Sequence, residues 1–183
     1  SIKKVSDHAF FLNNVKFSNK RYQYFEVSIR LLFLEHFQQA ENKVYDTKKV
    51  FLDALVEKSK ASQSLKTKAI EENVVLLLSK MSSIFSKKDP LLKTQSIVPI
   101  YYLVFREIYI NKTLSLVTRK SFLDFRDEVR QNKILAEKDI KLANYDLIEF
   151  DRMSLQGTND AGSIKERLRI MLEFLRKKKK LAN

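Results

Sequence analysis

Both glycines of this chain, Gly157 and Gly162, lie in one polar turn near its end. Glycine adopts left-handed backbone conformations and lets other groups approach the backbone closely, so this pair marks a loop of special geometry. A basic amphipathic segment follows the turn, and the N-terminus of a helix attracts anions through its free N–H groups and its dipole. The pattern indicates an anion-binding loop or, more commonly in proteins, a capped helix start that binds nothing.

The same turn predicts specific contacts at the start of the last helix. We expect Gly157 to adopt a positive φ, a conformation that a side chain would oppose. We expect Arg167, at the edge of the apolar seam of that helix, to reach loop carbonyls or an acid such as Asp151. One of three polar residues is expected to cap the helix N–H groups: Thr158, Asn159 or Asp160. These contacts would make the loop a structural element first and a ligand site second.

Two groups of basic residues are candidates for contact with a polyanion. On the last predicted helix, spacings of four and seven place three cations on one face: Lys165, Arg169 and Arg176. Lys20 and Arg21 begin an earlier helix, within a segment (residues 19–24) that interleaves cations, amides and aromatic rings. This mixture is typical of contacts to phosphates and bases. The alternative for that segment is a capped helix whose two tyrosines pack at the edge of the bundle.

The overall charge supports a polyanionic partner. The chain has 35 Lys and Arg against 22 Asp and Glu, a net charge of +13 and a pI near 9.8. Such an excess favours nucleic acid or an anionic membrane surface as the partner. A basic face that docks on an acidic partner domain would explain the same excess, and charge alone does not separate these alternatives.

Catalytic chemistry finds little support in the sequence. Paired acids at helical spacing could hold the divalent metal of a nuclease, and they occur as Asp124 with Asp127 or Glu128, Asp146 with Glu149, and Glu71 with Glu72. Such spacings are more typical of ion pairs along a helix surface. The chain has no cysteine and only two histidines, His8 and His36, so thiolate chemistry is excluded and a histidine metal pair is not expected. No phosphate-binding glycine loop is present, so we expect neither a cofactor nor enzymatic activity in this chain.

The elements that position these residues are predicted to be helices. Two glycines and two prolines among 183 residues argue against turn-rich β structure, and apolar residues recur at spacings of three and four. We predict an all-α fold, a single bundle of seven or eight helices over residues 1–183. Residues 1–18 are predicted to be an N-terminal extension and residues 176–183 a basic tail. The predicted helices cover 5–12, 20–39, 46–62, 65–86, 96–110, a segment from 118, 145–153, and 160–179.

Some details of this prediction carry alternatives. The apolar run 97–105 is short enough to form a strand instead of a helix. In the helix over 20–39, we place Phe25, Ile29, Leu32 and His36 on the central apolar stripe, with three further apolar residues widening it. The helix over 65–86 is predicted to end before a basic turn at residues 87–90.

The sequence predicts a cytoplasmic protein without a membrane segment. The most apolar run has nine residues, well below the roughly 20 that a membrane span requires. No apolar core of a signal peptide is visible near the start, and the lack of cysteine fits a reducing compartment. Because the first residue is not Met, we expect the chain to be a piece of a longer protein.

Four segments resemble the GmrSD-type family of DNA restriction proteins: residues 17–26, 30–35 and 45–49, and the pattern Gly157-Thr158-Asn159…Ser163-Ile164…Arg167. Members of this family pair an N-terminal ParB/sulfiredoxin-like nuclease domain with a helical region. The resemblance covers that helical region, over about residues 17–60 and 145–175. The nuclease motifs of the family, Asp-Gly-Gln-Gln-Arg and Ile-Pro-x-Tyr-Gln-Arg, do not occur here, and neither does its C-terminal His-Asn-His nuclease. No catalytic residue is therefore carried over.

The resemblance implies a role in restriction and phage defence. It implies a non-catalytic helical module that contacts DNA and couples to the N-terminal nuclease domain of a parent protein. That parent would use a nucleotide and a divalent metal. Two alternatives stay open: a protein-interaction scaffold whose basic face docks on an acidic domain, and a metal-dependent nuclease using acids of the sixth predicted helix.

Overall fold

A computed structural model describes residues 1–61, 65–114 and 117–179 of the chain. The described residues contain eight α-helices and no strand. These helices are α1 (Ile2–Ser6), α2 (Gln23–Glu41), α3 (Lys49–Ala61), α4 (Leu65–Ile84), α5 (Val98–Ile110), α6 (Arg119–Lys138), α7 (Tyr145–Leu155) and α8 (Ala161–Lys179). A π-helical turn (Phe10–Asn14) and 3₁₀ turns (Lys20–Tyr22, Pro90–Leu92, Gln95–Ile97 and Ile140–Leu142) connect them. The predicted all-α bundle is confirmed.

Helix α5 lies at the centre of the bundle. Every residue from Val98 to Phe105 is buried, and the helix packs against α2, α4 and α8. Pro99 is tolerated because it occupies the first turn, where no intrahelical N–H bond is needed. The strand alternative for residues 97–105 is therefore wrong. An apolar run without polar alternation forms a helix here because neighbouring helices cover it on all sides.

Helix α2 buries a different face from the one predicted. Val27, Leu31 and Leu34 are fully buried, whereas Phe25 on the predicted stripe is 39% exposed. The helix is apolar around most of its circumference, so periodicity did not select a face. The buried face also holds a carboxylate: Glu35 accepts hydrogen bonds from the Tyr102 hydroxyl (2.6 Å) and from Arg106 Nε (3.1 Å) on α5.

The N-terminal residues belong to the core rather than to an extension. Val5, Phe10, Phe11 and Val15 are completely buried, and α1 packs against α2 and α4. The helix predicted over 5–12 is interrupted after Ser6, and the chain resumes as the π-helical turn. The predicted extension at 1–18 is therefore wrong.

Helices α6, α7 and α8 pack on one another and place α8 against α5. Thr118 and Ser121 form a capping box that begins α6. Asn132 fixes the next connection, since its side chain donates to Asn144 O (2.9 Å) and accepts from Asn144 N–H (2.7 Å). Residues 180–183 of the predicted basic tail lie outside the described residues. Among the helices over 1–61, 65–114 and 117–179, none has the length and apolar composition needed to span a membrane.

Candidate nucleic-acid interface

The turn at residues 157–160 has the backbone geometry that the sequence predicts. Gly157 has a φ of +62°, and its carbonyl accepts the Asp160 N–H at 3.0 Å. A Cβ atom built on Gly157 would lie 2.7 Å from Asp160 Oδ2. The left-handed backbone therefore favours glycine at this position, and a Cβ would also displace the Asp160 carboxylate.

We expect Gly157→Val to lower the free energy of unfolding by about 1–3 kcal/mol, the usual size of local backbone strain. Chemical denaturation of the variant and the parent measures this difference. Gly162→Ala is the matched control, because a Cβ there meets no atom within 4 Å and Gly162 lies inside α8. We expect that control to be as stable as the parent or up to about 1 kcal/mol more stable. Equal stability of Gly157→Val and the parent would contradict the strain argument.

The N-terminus of α8 is capped by a residue from far along the chain. Asp46 Oδ1 accepts the Ala161 N–H at 2.7 Å, and Thr47 donates its own N–H to Asn159 O at 2.8 Å. Asp46 therefore caps this N–H, where the sequence led us to expect Thr158, Asn159 or Asp160. The Ala161 N–H holds the pKa of Asp46 below its usual value, with help from Lys48.

This arrangement disfavours an anion at the start of α8. Lys48, the nearby cation, forms ion pairs with both Asp46 and Asp160. The side chains of those two acids bring negative charge to the place where an anion would bind. The turn is therefore best explained as a clasp between the α2–α3 connection and α8, which we call the α8 clasp (residues 46–48 and 157–161).

Arg167 is fully buried and bound to backbone carbonyls. It donates to Thr158 O at 2.6 Å, Ser163 O at 3.3 Å and Ser96 O at 3.4 Å. The expected contact with loop carbonyls is confirmed, whereas Asp151 instead pairs with Lys133 at 3.0 Å. Burial lowers the pKa of Arg167 to about 10, so the guanidinium remains charged at neutral pH. Arg167 thus ties the turn to the start of α5 and does not face solvent.

The three cations predicted to share a face of α8 have different surroundings. Lys165 and Arg176 are exposed and have no carboxylate partner among the described residues. Arg169 is bonded to three carboxylates: Asp146 (2.9 Å), Glu166 (2.5 Å) and Glu173 (2.8 Å). Hydrogen bonds to these acids raise the pKa of Arg169. Because its charge is already balanced, Arg169 is a poor candidate for a phosphate contact.

All of the paired acids considered as metal ligands except Glu128 contact a cation. The ion pairs are Lys120–Asp124, Arg126–Asp127, Arg152–Glu149, Arg169–Asp146, Lys4–Glu71 and Lys68–Glu72. Within the described part of the chain, no group of three or more His, Asp or Glu side chains is arranged to hold a metal ion. The six paired acids therefore act as partners in ion pairs.

Two loops meet at one end of the bundle, and sequence reasoning did not bring them together. The first follows α1 and leads into α2, and the second joins α4 to α5. Backbone hydrogen bonds join them from Lys88 N–H to Asn13 O (2.8 Å) and from Asp89 N–H to Asn14 O (2.7 Å). A third bond runs from Lys16 N–H to Leu92 O (3.0 Å).

These loops carry a group of free cations, which we call the basic loop cluster: Lys16, Lys20, Arg21, Lys87, Lys88 and Lys93. All six side chains are exposed, and none has a carboxylate partner among residues that the structure describes. Only Lys88 uses its ammonium group internally, donating to Leu12 O at 2.9 Å. The two loops thus add four free cations to the predicted pair Lys20 and Arg21, and an excess of one charge sign attracts polyanions.

Asp89, the acid within the second loop, does not neutralise this surface. Its carboxylate is fully buried and accepts both Nε (2.6 Å) and Nη2 (3.1 Å) of Arg119. It also accepts the N–H groups of Ser86 (2.8 Å) and Leu91 (2.9 Å). The Asp89 side chain therefore fixes the backbone of this loop through buried hydrogen bonds, and Arg119 balances its charge.

Three residues of the two loops have left-handed backbones without being glycine. Their φ values are 55° at Arg21, 60° at Tyr22 and 47° at Lys88. Such a conformation costs about 1–2 kcal/mol per residue, and it places these side chains where a right-handed turn would not. The two tyrosines of the predicted segment consequently differ: Tyr24 is buried, whereas Tyr22 is 80% exposed.

No protein-family model, curated protein or solved structure matches this chain. The resemblance to the GmrSD-type family therefore stays a prediction. The charge and exposure of the basic loop cluster are the observations on which a function can rest.

Proposed function

We propose that this chain is a non-catalytic helical module that contacts nucleic acid through the basic loop cluster. The observation that carries the proposal is a set of six exposed cations without carboxylate partners, held on two hydrogen-bonded loops. Many other cations are already paired, as in Lys3–Asp7 or Lys133–Asp151. Phosphate contacts require cations that are free to replace condensed counterions. Lys165 and Arg176 on α8 are also unpaired, but they lie outside the two loops and are not part of the proposed interface.

The second part of the proposal is contact with another protein domain. Five large apolar side chains within twelve residues are exposed between the end of α6 and the start of α7: Ile134, Leu135, Ile140, Leu142 and Tyr145. Exposed apolar clusters of this kind mark protein contacts. We propose that this segment faces the N-terminal nuclease domain that the family resemblance implies. The same segment is the observation that favours the alternative of a pure protein-interaction scaffold.

Charge reversal of the cluster tests the nucleic-acid contact. We expect the triple variant Lys16→Glu, Lys87→Glu, Lys93→Glu to weaken binding to DNA and to flatten its salt dependence. Each lost phosphate contact removes about 0.7–0.9 from the slope of log K against log salt, so the slope should fall by about two units. Fluorescence anisotropy with labelled DNA, single-stranded and duplex, at several salt concentrations gives both quantities.

The matched control reverses three exposed cations of α8: Lys165, Arg176 and Lys177. We expect this control to change the slope by less than one unit, because the main contacts lie in the loops. The DNA in these samples should also stay intact when Mg²⁺ and a nucleoside triphosphate are added. Binding that is lost in the α8 control but kept in the loop variant would contradict the proposed interface. Metal-dependent cleavage would contradict its non-catalytic character.

A further inference from the structure

We infer that the basic loop cluster binds single-stranded nucleic acid, with the Tyr22 ring stacked on an unpaired base; this inference rests on the function proposed above. Tyr22 has the largest exposed fraction, 80%, among the large hydrophobic residues that the structure describes as exposed. Its neighbours Lys20 and Arg21 are free cations of the cluster. Proteins that bind single strands combine cations that contact phosphates with aromatic rings on which bases stack.

The turn that carries Tyr22 is fixed by its surroundings. Tyr24 donates its N–H to Asn19 Oδ1 at 2.9 Å and its hydroxyl to Phe17 O at 3.4 Å. The Tyr24 ring also packs edge-on against Phe17, with ring centroids 5.8 Å apart. These contacts hold the consecutive left-handed residues Arg21 and Tyr22. A ring presented on an ordered backbone loses less conformational entropy when a ligand binds.

The chemistry around Tyr22 favours an unpaired strand over a duplex. In a duplex the base faces are stacked inside, so a ring on a surface loop reaches them only if the strand is unstacked. Phe25, three residues after Tyr22 in the first turn of α2, is a second aromatic side chain with an exposed fraction, 39%. Glu26, the nearest acid that follows in the sequence, is paired with Arg30 at 2.5 Å and does not leave a free negative charge beside the ring.

The test compares binding of a single-stranded oligonucleotide of about 15 thymidines with binding of a duplex of equal length. We expect Tyr22→Ala to weaken single-strand binding roughly 5- to 150-fold, the range that corresponds to one base–aromatic stack. We expect Tyr22→Phe to bind within about twofold of the parent, because the ring is kept. Duplex binding should not change in either variant. Tyr22→Gly suits the positive φ of this residue and should lose single-strand affinity as Tyr22→Ala does.

Tyr145→Ala is the matched control, because Tyr145 is 72% exposed at the start of α7 and lies outside the cluster. We expect it to bind like the parent. If Tyr22→Ala weakens the binding of single strand and duplex equally, or weakens the binding of neither, the stacking inference is overturned while the proposed function stands. If neither nucleic acid binds at about 50 mM salt, both are overturned. Binding to vesicles of anionic phospholipid without binding to oligonucleotides would also overturn both and would assign the cluster to a membrane surface.

Discussion

Arg167→Ala is expected to lower the free energy of unfolding by about 3–5 kcal/mol, the size of the largest core truncations. Arg167 is among the largest fully buried side chains of the protein, so the substitution opens a cavity between α8 and the start of α5. It also removes the donors from three carbonyls: Thr158, Ser163 and Ser96. Denaturant unfolding followed by circular dichroism measures the loss.

A second variant separates the volume of Arg167 from its hydrogen bonds. Arg167→Met restores most of the volume and leaves the three carbonyls without their donors, so we expect a loss of about 1–3 kcal/mol. Relief from burying a charge offsets part of that loss. Arg176→Ala, which truncates an exposed arginine of the same helix, should change stability by less than about 0.5 kcal/mol. An Arg167→Ala protein as stable as this control would contradict the structural role of Arg167.

Asp89→Asn is expected to lower the free energy of unfolding by about 3 kcal/mol, since each hydrogen bond to a charged group contributes about 1.5–3 kcal/mol. The substitution preserves the shape of the side chain but removes the negative charge that Arg119 and two backbone N–H groups surround. The comparison is Asp124→Asn, which removes an exposed carboxylate that pairs only with Lys120. We expect that change to stay within about 0.5 kcal/mol of the parent.

The cost of Asp89→Asn should depend on pH. Burial alone would raise the pKa of Asp89, but the hydrogen bonds from Arg119, Leu91 and Ser86 outweigh burial and hold the pKa below its ordinary value of 3.8. The ionised carboxylate therefore contributes its full stability above pH 3.8, and this contribution is lost as the pH falls through the lower pKa of the folded state. Parent and Asp89→Asn should converge in stability under strongly acidic conditions. A difference that stays constant down to that range would contradict the assignment.

The helices could be predicted because their signals are local. Apolar spacing of three and four, Pro99 in a first turn and Thr118 before α6 each act within a few residues of the element they define. The buried face of α2 could not be predicted in this way. That face contacts residues far away in the sequence, as where Glu35 accepts hydrogen bonds from Tyr102 and Arg106, more than sixty residues on.

In the candidate site, too, the local features could be predicted from the sequence and the contacts between distant residues could not. The conformation of Gly157 and the contact of Arg167 with loop carbonyls could be predicted, because the turn and the helix that follows it are adjacent in the sequence. Only two separate parts of the basic loop cluster could be predicted from the sequence. These parts are Lys20 and Arg21 beside aromatic residues, and a basic turn at residues 87–90. The backbone bonds that join the two loops, between residues 13–16 and 88–92, have no signal in the sequence. Arg169 was predicted to contact a polyanion, but two of its three partners, Glu166 and Glu173, lie at spacings of three and four on the same helix, and only Asp146 comes from a different helix.

The α8 clasp has a consequence for how the chain folds. Its capping bond joins Asp46 to Ala161 across 115 residues, and Thr47 meets Asn159 across 112. Closing so long a segment costs the unfolded chain conformational entropy, and contacts between residues so far apart in the sequence slow folding. The first turn of α8 is thus completed only when the connection after α2 has reached its native position. A fragment that begins after α3 would retain the sequence of the last helix but lose this cap, so we expect the first turn of α8 to fray in it.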